Sequence, residues 1–350
     1  MPEIINADLF LKEKRHYPVI DVRSPGEFSA GHIPAAINIP VFNNEERAVV
    51  GTIYTKTGTS EAIEKGKEIA AAKLTSYIEN LLSAAPEKTA LMYCWRGGMR
   101  SSSVVQWLRL VGWDAQQLAG GYKAWRRHAI TLLETICPQL PLRVLCGPTG
   151  SAKTRVLHAL ARQGAQVIDL EGCARHRGSV LGTLPGVTQP SQTAFETLLA
   201  QQVEGLDTSR PVYVEAESSR IGRLTVPMPL IRHLRASPCI EIQAGTSERL
   251  AFLLRDYAHL GDDRAALVQT LGTMRELHGQ QVIDRWQAWA AEGALQPLFA
   301  ELMALHYDPQ YLRSQARNFQ LWAQRQSVQA SSLSEAGIED LARQVLKNMH

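Results

Sequence analysis

The sequence predicts an α/β protein of two domains followed by a helical region. Short apolar runs alternate with helical segments from about residue 17 to residue 127, as in a sheet covered by helices. Two prolines within 137–141 break this pattern, which restarts at residue 142 and gives way to helical spacing after about residue 246. We therefore expect a first domain over 1–136, a linker over 137–141, a second α/β domain over 142–245 and a helical region over 246–350 that packs on it.

The predicted strands are brief apolar runs, and most of them lead into a glycine-rich or polar turn. They are Pro18–Val22, Lys88–Cys94, Leu142–Cys146, Ala165–Leu170, Pro211–Glu215 and Cys239–Gln243. Helices are predicted after two of these turns, at Ser101–Val111 and Arg155–Arg162. Beyond about residue 246 we predict helices alone, with amphipathic spacing in Glu248–Tyr257 and Val282–Ala290.

The composition is that of a globular protein, since 45% of the 350 residues are hydrophobic and 20% are charged. No apolar run approaches the ~18 residues of a membrane helix, and the first residues lack a secretory signal pattern. These features predict a cytoplasmic location without a membrane partner. The five cysteines include no C-x-x-C pair, which argues against disulfides and zinc. A net charge of +3 does not by itself indicate a nucleic-acid partner.

The loop after the second predicted strand is a candidate catalytic site. Cys94 ends that strand, and Gly97 and Gly98 allow the tight turn that points successive backbone N–H groups inward. Arg96 and Arg100 add positive charge. Such surroundings favour a thiolate, so we predict that Cys94 is a nucleophile within a cradle for sulfur, selenium or a phosphate-like group. The alternative is a buried core cysteine beside a plain turn.

A second candidate site follows the strand that ends at Cys146. The segment Gly-Pro-Thr-Gly-Ser-Ala-Lys-Thr lies between a predicted strand and a helix, which is the context of a phosphate-binding P-loop. Lys153 would neutralise terminal phosphate oxygens, and the Thr154 hydroxyl could hold Mg²⁺. Ala152 stands where a glycine is usual, and we expect it to adopt a helical conformation. The predicted phosphate-binding residues are Gly147, Thr149, Gly150, Ser151, Ala152, Lys153 and Thr154.

An acidic partner for this loop is expected at the end of a neighbouring strand. Asp169, Glu215 and Glu217 are the candidates, and the sequence does not choose among them.

The first domain resembles rhodanese domains. Residues 21–40 are similar to their N-terminal motif and residues 118–125 to their closing motif, with the Cys94 loop between. The resemblance implies that Cys94 carries a chalcogen atom, while Asp21 and Arg23 brace the fold. Five residues separate Cys94 from Arg100, whereas sulfur-transferring rhodaneses have four. This longer loop resembles that of the related phosphatases and suggests a larger anion than bare sulfur.

Four further segments resemble the tRNA 2-selenouridine synthase family, in which a rhodanese domain is fused to a P-loop domain. They are residues 44–54, 169–179, 189–196 and 214–222. The resemblance implies that wobble 2-thiouridine in tRNA is first S-geranylated from geranyl diphosphate. Selenium from selenophosphate, carried on Cys94, then displaces the geranyl thiol. It implies no tightly bound cofactor.

We favour geranyl diphosphate over ATP as the ligand of the P-loop, because departing diphosphate needs the charge stabilisation that such a loop supplies. Five residues in the matching segments are candidate contacts for tRNA phosphates: Arg175, His176, Arg177, Arg220 and Arg223. For each of them an internal structural role stays open. The sequence predicts no oligomeric state.

Three other functions remain open at this point. The first is a rhodanese-type sulfurtransferase with an NTPase module that serves a partner protein. The second is a nucleotide-gated binding switch without catalysis. The third is a phosphatase built on the Cys94 loop.

Overall fold

The computed structural model describes residues 4–5 and 17–347. The chain forms two compact units. The first consists of residues up to 132 together with 190–201, and the second of residues 133–189 and those from 202 onward.

The first unit contains a parallel sheet of five strands in the order β1-β5-β4-β2-β3. The strands are β1 (Ile4–Ile5), β2 (Val19–Asp21), β3 (Ile37–Asn38), β4 (Thr89–Tyr93) and β5 (Asp114–Leu118). The central strand β4 is almost entirely buried, which explains its continuous apolar sequence. The two strands predicted in this part of the chain, β2 and β4, are confirmed.

Among the residues that the structure describes, six helices accompany this sheet. They are α1 (Pro25–Ala30), α2 (Asn44–Lys56), α3 (Thr59–Ala71), α4 (Leu74–Ala84), α5 (Met99–Leu110) and α6 (Gly121–Ile136). Capping boxes begin α1 and α2, through Ser24 with Glu27 and through Asn43 with Glu46. The helix α6 continues to the segment predicted as a linker, where residues 137–139 form a 3-10 helix with Cys137 buried.

A buried ion pair lies at the end of β2. The Arg23 guanidinium is 2.6 Å from the Asp21 carboxylate, and both side chains are almost completely inaccessible. Arg23 also donates to the carbonyl oxygen of Gly31 and lies 4.0 Å from the centre of the Tyr122 ring. The pair thus ties β2 to the chain after α1 and to α6, as expected for residues that brace the fold.

The second unit has another parallel sheet of five strands, in the order β12-β11-β6-β8-β7. These strands are β6 (Leu142–Cys146), β7 (Gln166–Ile168), β8 (Val212–Glu215), β11 (Cys239–Gln243) and β12 (Gln326–Gln329). A separate antiparallel pair consists of β9 (Arg220–Ile221) and β10 (Leu224–Thr225). The four predicted strands are confirmed.

The prediction that only helices follow residue 246 was wrong, because β12 pairs in parallel with β11. Its sequence, Gln-Ser-Val-Gln, has one apolar residue, and only Val328 is buried. An edge strand with so little apolar surface gives no strand signal in the sequence.

The helices of the second unit lie between and after these strands. They are α7 (Lys153–Arg162), α8 (Leu170–Ala174), α9 (Gln192–Glu204, shared with the first unit), α10 (Met228–Ala236), α11 (Thr246–Asp256), α12 (Arg264–Gly272), α13 (Gln280–Glu292), α14 (Leu295–Leu302), α15 (Asp308–Asn318) and α16 (Glu335–Lys347). Ile338 and Leu341 of α16 share a core with Val156 and Leu160 of α7. Within the described residues, no helix is both long and apolar enough to cross a membrane.

The buried pair should dominate the stability of the first unit. Arg23→Ala leaves the Asp21 carboxylate buried without its counter-charge, so we expect a loss of about 3–5 kcal/mol in the free energy of unfolding. Urea denaturation measures this loss. Arg47→Ala, which removes an exposed partner of Glu27, is the control and should cost about 1 kcal/mol or less. Equal effects of the two substitutions would contradict the structural role of the pair.

Candidate functional site

The thiol of Cys94 lies in a turn between β4 and α5. Its Sγ accepts hydrogen bonds from the backbone N–H of Gly98 and from the Ser101 hydroxyl, each over 3.2 Å. It also lies 3.7 Å from the Gly98 carbonyl oxygen, to which a thiol hydrogen could donate. The Gly98 N–H and the Ser101 hydroxyl therefore both point at this one sulfur. Ser101 is a part of this cradle that the sequence analysis did not single out, although it stands three residues after Gly98 in the first turn of the helix.

The turn is held against the start of α6. A Cβ atom at Gly121 would lie 2.2 Å from the Cys94 carbonyl oxygen and 2.5 Å from the backbone nitrogen of Gly97. Only glycine fits at this distance, and Gly121 also has a φ of +57°. The N–H of Tyr122 donates to the Cys94 carbonyl oxygen over 2.9 Å. The glycines of the closing motif therefore fix the shape of the Cys94 loop.

The two arginines predicted for the cradle differ in their surroundings. Arg96 is exposed. Arg100 forms two hydrogen bonds to the Glu27 carboxylate, of 2.6 and 3.1 Å. Burial raises the pKa of Glu27, but the bonds and charge of Arg100 outweigh this effect and lower it to about 2. The charge of Arg100 is therefore directed at Glu27, and its place in the anion cradle stays a prediction.

The predicted phosphate loop connects β6 to α7. Three of its residues have positive φ: Gly147 at 153°, Gly150 at 84° and Ala152 at 59°. Our expectation of a helical conformation for Ala152 was wrong, because it is left-handed. That conformation costs an alanine about 1–2 kcal/mol. Its methyl group is buried in the core with Leu145 and Val156, and this burial stabilises the folded state by about 0.8 kcal/mol.

Lys153 and Thr154 begin α7 and face the loop and the acidic residues. The Lys153 ammonium donates to the Gly147 carbonyl oxygen over 2.8 Å. The Thr154 Oγ1 lies 3.0 Å from Glu171 Oε2 and 2.9 Å from Glu215 Oε2. A hydroxyl carries one hydrogen, so it can donate to only one of these carboxylates unless the other is protonated.

Three carboxylates form an acidic cluster beside Thr154. One oxygen each of Glu171, Glu215 and Glu217 lies within 4.8 Å of the others. Burial and then the charge of Glu171 raise the pKa of Glu217 to about 8. Burial and the two neighbouring carboxylates raise the pKa of Glu215 well above its ordinary value, and burial also raises that of Glu171.

A divalent cation fits this cluster. The buried Oε1 of Glu215 has no hydrogen-bond partner among the described residues. Carboxylate and hydroxyl oxygens are the ligands that Mg²⁺ prefers. Glu171, Glu215, Glu217 and Thr154 are therefore the residues that would hold Mg²⁺, whose charge would offset both the carboxylates and a bound diphosphate.

The structure separates Asp169 from this cluster and brings in Glu171, which the sequence analysis did not propose. Asp169 caps α8 by accepting from the Gly172 N–H over 2.7 Å, and its other oxygen lies 2.8 Å from His158 Nε2. Burial opposes ionisation, yet the His158 contact lowers the pKa of Asp169. Glu171 stands in the first turn of α8, and nothing in the sequence fixes the direction of that short helix.

The five predicted tRNA contacts fall into two groups. His176 is buried, and burial lowers its pKa. Arg177 pairs with Asp256 over 2.7 Å, and Arg223 donates to the Gln189 carbonyl oxygen over 2.6 Å. These three side chains serve the internal structure of the unit, and a role in RNA binding stays a prediction. Arg175 and Arg220 are exposed.

A cavity of about 620 Å³ within the second unit contains the phosphate loop. Its polar lining includes Lys153, Thr154 and the acidic cluster. Aliphatic and aromatic side chains also line it, namely Val180, Leu184, Val187, Phe252, Leu253, Tyr257, Tyr307 and Tyr311. The cavity therefore offers contacts both to phosphate groups and to an apolar chain.

Comparison with known proteins gives two family matches that do not overlap. Residues 7–128 match the rhodanese-like domain, and residues 140–281 match the tRNA 2-selenouridine synthase AAA domain. The predicted fold class, a rhodanese-like domain followed by a P-loop α/β domain with C-terminal helices, is thereby confirmed.

Individual relatives match over most of the chain. A tRNA 2-selenouridine synthase from Nitrosomonas europaea is 37% identical, over 81% of this chain and 76% of the relative. Another from Alcanivorax borkumensis is 35% identical, over 87% of this chain and 90% of the relative. One from Bdellovibrio bacteriovorus is 39% identical, over 70% of this chain and 65% of the relative.

The acidic cluster should make stability depend on pH in the absence of divalent cations. Because the pKa of Glu217 is about 8 in the folded protein and near 4.5 ordinarily, the folded state binds more protons between these values. Stability therefore falls as the pH rises through this window. Glu217→Gln should equal the wild type near pH 4.5 and exceed it by about 1–3 kcal/mol at pH 8. Thermal denaturation in EDTA measures the difference.

The matched control for this experiment is Glu292→Gln, which changes an exposed glutamate of the same unit. Its stability relative to the wild type should not vary with pH. A pH-independent effect of Glu217→Gln would contradict the raised pKa, and so would destabilisation at pH 8.

Proposed function

The chain belongs to the tRNA 2-selenouridine synthase family, and from this we propose that it replaces the sulfur of wobble 2-thiouridine in tRNA by selenium, with an S-geranylated intermediate. The observation that carries the geranylation step is the cavity that is lined both by a phosphate loop and by apolar side chains. Selenophosphate and geranyl diphosphate are the two small-molecule substrates in this proposal.

In the first step the sulfur of 2-thiouridine attacks C1 of geranyl diphosphate. The bond from C1 to the diphosphate oxygen breaks, diphosphate leaves with the electron pair, and the base loses its N3 proton. Negative charge therefore accumulates on the departing diphosphate. Backbone N–H groups of the loop and the Lys153 ammonium are suited to stabilise it, because they are fixed before the reaction begins.

The apolar part of the lining supports a prenyl diphosphate as the ligand. Val180, Leu184, Val187 and Phe252 offer the geranyl chain side chains without hydrogen-bonding groups. Burial of such a chain contributes about 0.8 kcal/mol for each methylene.

In the second step selenium displaces the geranyl thiol. The new bond joins selenium to C2 of the base, and the bond from C2 to sulfur breaks. The net change is S-geranyl-2-thiouridine, selenophosphate and water giving 2-selenouridine, geranyl thiol and phosphate, which balances without an oxidant or a reductant. We assign the delivery of this selenium to Cys94: its Sγ, to which the Gly98 N–H and the Ser101 hydroxyl donate, attacks the phosphorus of selenophosphate, the P–Se bond breaks, and selenide leaves for C2. Water then cleaves the S–P bond, which releases phosphate and restores the thiol.

Lys153→Ala should slow the geranylation step. Loss of one charge-assisted contact to the diphosphate costs about 1.5–3 kcal/mol, or about 10- to 100-fold in rate. Mass spectrometry of nucleosides from tRNA incubated with geranyl diphosphate measures the S-geranyl product. Lys65→Ala, which removes an exposed lysine, is the control and should leave the rate unchanged. Wild-type geranylation kinetics in Lys153→Ala would refute the assignment of the loop.

Cys94→Ala should abolish selenium incorporation while geranylated tRNA accumulates, since only the second step uses this thiol. The same mass spectrometry, with selenophosphate added, separates the two products. Cys137→Ala tests whether loss of any buried thiol has this effect, and it should retain both steps. Persistent selenation in Cys94→Ala would show that another group delivers the selenium.

A further inference from the structure

Helix α15 forms part of the wall of the phosphate-loop cavity. Gln310 and Ser314, one helical turn apart, both line the cavity. Arg317 follows Ser314 by three residues and Arg313 follows Gln310 by three, so both arginines lie on or beside the same side of the helix. Neither arginine lines the cavity itself, so the two positive charges lie on a helix that contributes other residues to the cavity.

These arginines have no acidic neighbour in sequence. No aspartate or glutamate occurs between residues 309 and 334. Both side chains are exposed, and neither forms an ion pair or a side-chain hydrogen bond with a described residue. Other arginines around this part of the unit are paired: Arg249 with Asp308, Arg285 with Glu301 and Arg325 with Glu241. The charges on the outer side of α15 are thus left for an external partner.

Arg175 resembles these two arginines in its exposure and in its lack of an ion pair. It lines the cavity, its side chain is exposed, and it too has no ion pair among the described residues. It stands at the end of α8 with a φ of +50°. The cavity thus has an unpaired arginine at the end of α8, and two more lie on α15 outside its lining.

We propose that Arg313, Arg317 and Arg175 bind the phosphate backbone of the RNA substrate where it approaches the cavity. This inference rests on the proposed function and deepens it, because it names the surface that holds the RNA for geranylation. Three further polar residues of α15 fit the same role. Gln310, Ser314 and Asn318 can donate hydrogen bonds and carry no negative charge, and phosphate oxygens accept such bonds.

The test is the salt dependence of tRNA binding. The double variant Arg313→Gln and Arg317→Gln should bind tRNA at least tenfold more weakly in 0.1 M salt. Loss of two phosphate contacts should also reduce the slope of log K against log salt concentration by about 1.4–1.8. Fluorescence anisotropy with labelled tRNA measures both quantities. Arg232→Gln, which changes an exposed arginine on α10, a helix that contributes no residue to the cavity, should leave them unchanged.

A second measurement separates this proposal from the proposed function. The thermal shift that geranyl diphosphate produces should be the same in the double variant and the wild type, because the phosphate loop is intact. Unchanged tRNA affinity and slope in the double variant would overturn the assignment of α15. Failure of the wild-type protein to bind tRNA at all would instead refute the proposed function.

Discussion

Both candidate sites depend on one constraint of parallel sheets, in which a buried strand turns directly into the N-terminus of a helix. The Cys94 loop follows β4 and precedes α5, and the phosphate loop follows β6 and precedes α7. In this arrangement the first N–H groups of the helix have no partner within it and point toward the end of the strand. The backbone of the fold therefore supplies anion-binding N–H donors whatever the side chains are. The side chains of each loop then determine which groups surround the bound anion.

The side chains that surround the two loops differ. Beside Cys94, the acid Glu27 holds Arg100, and the Ser101 hydroxyl completes the contacts to sulfur. Beside the phosphate loop, three carboxylates lie close together, and their burial and mutual proximity raise the pKa of Glu217 to about 8. Burying several carboxylates together is unfavourable, because each ionised carboxylate raises the free energy of ionising the next one. Their position next to Thr154 is therefore the strongest sign of a cation-dependent ligand in the second unit.

The sequence predicted the strands next to both loops and the loops themselves, because apolar runs, glycines and a lysine at fixed spacing leave few alternatives. It did not predict β12, whose single buried side chain carries no periodic signal. It also missed Glu171 and Ser101, since their roles depend on the direction of a short helix and on the first turn of another. The conformation of Ala152 could not be inferred because alanine rarely adopts a positive φ, and only the surrounding packing makes it acceptable.

The burial of the Cys94 sulfur limits the size of the molecules that can react with it. Only 3% of this residue is exposed, so a bulky electrophile has little direct access to Sγ, whereas a compact donor can enter the turn. Any reaction at this sulfur is therefore restricted by the size of the group that must reach it.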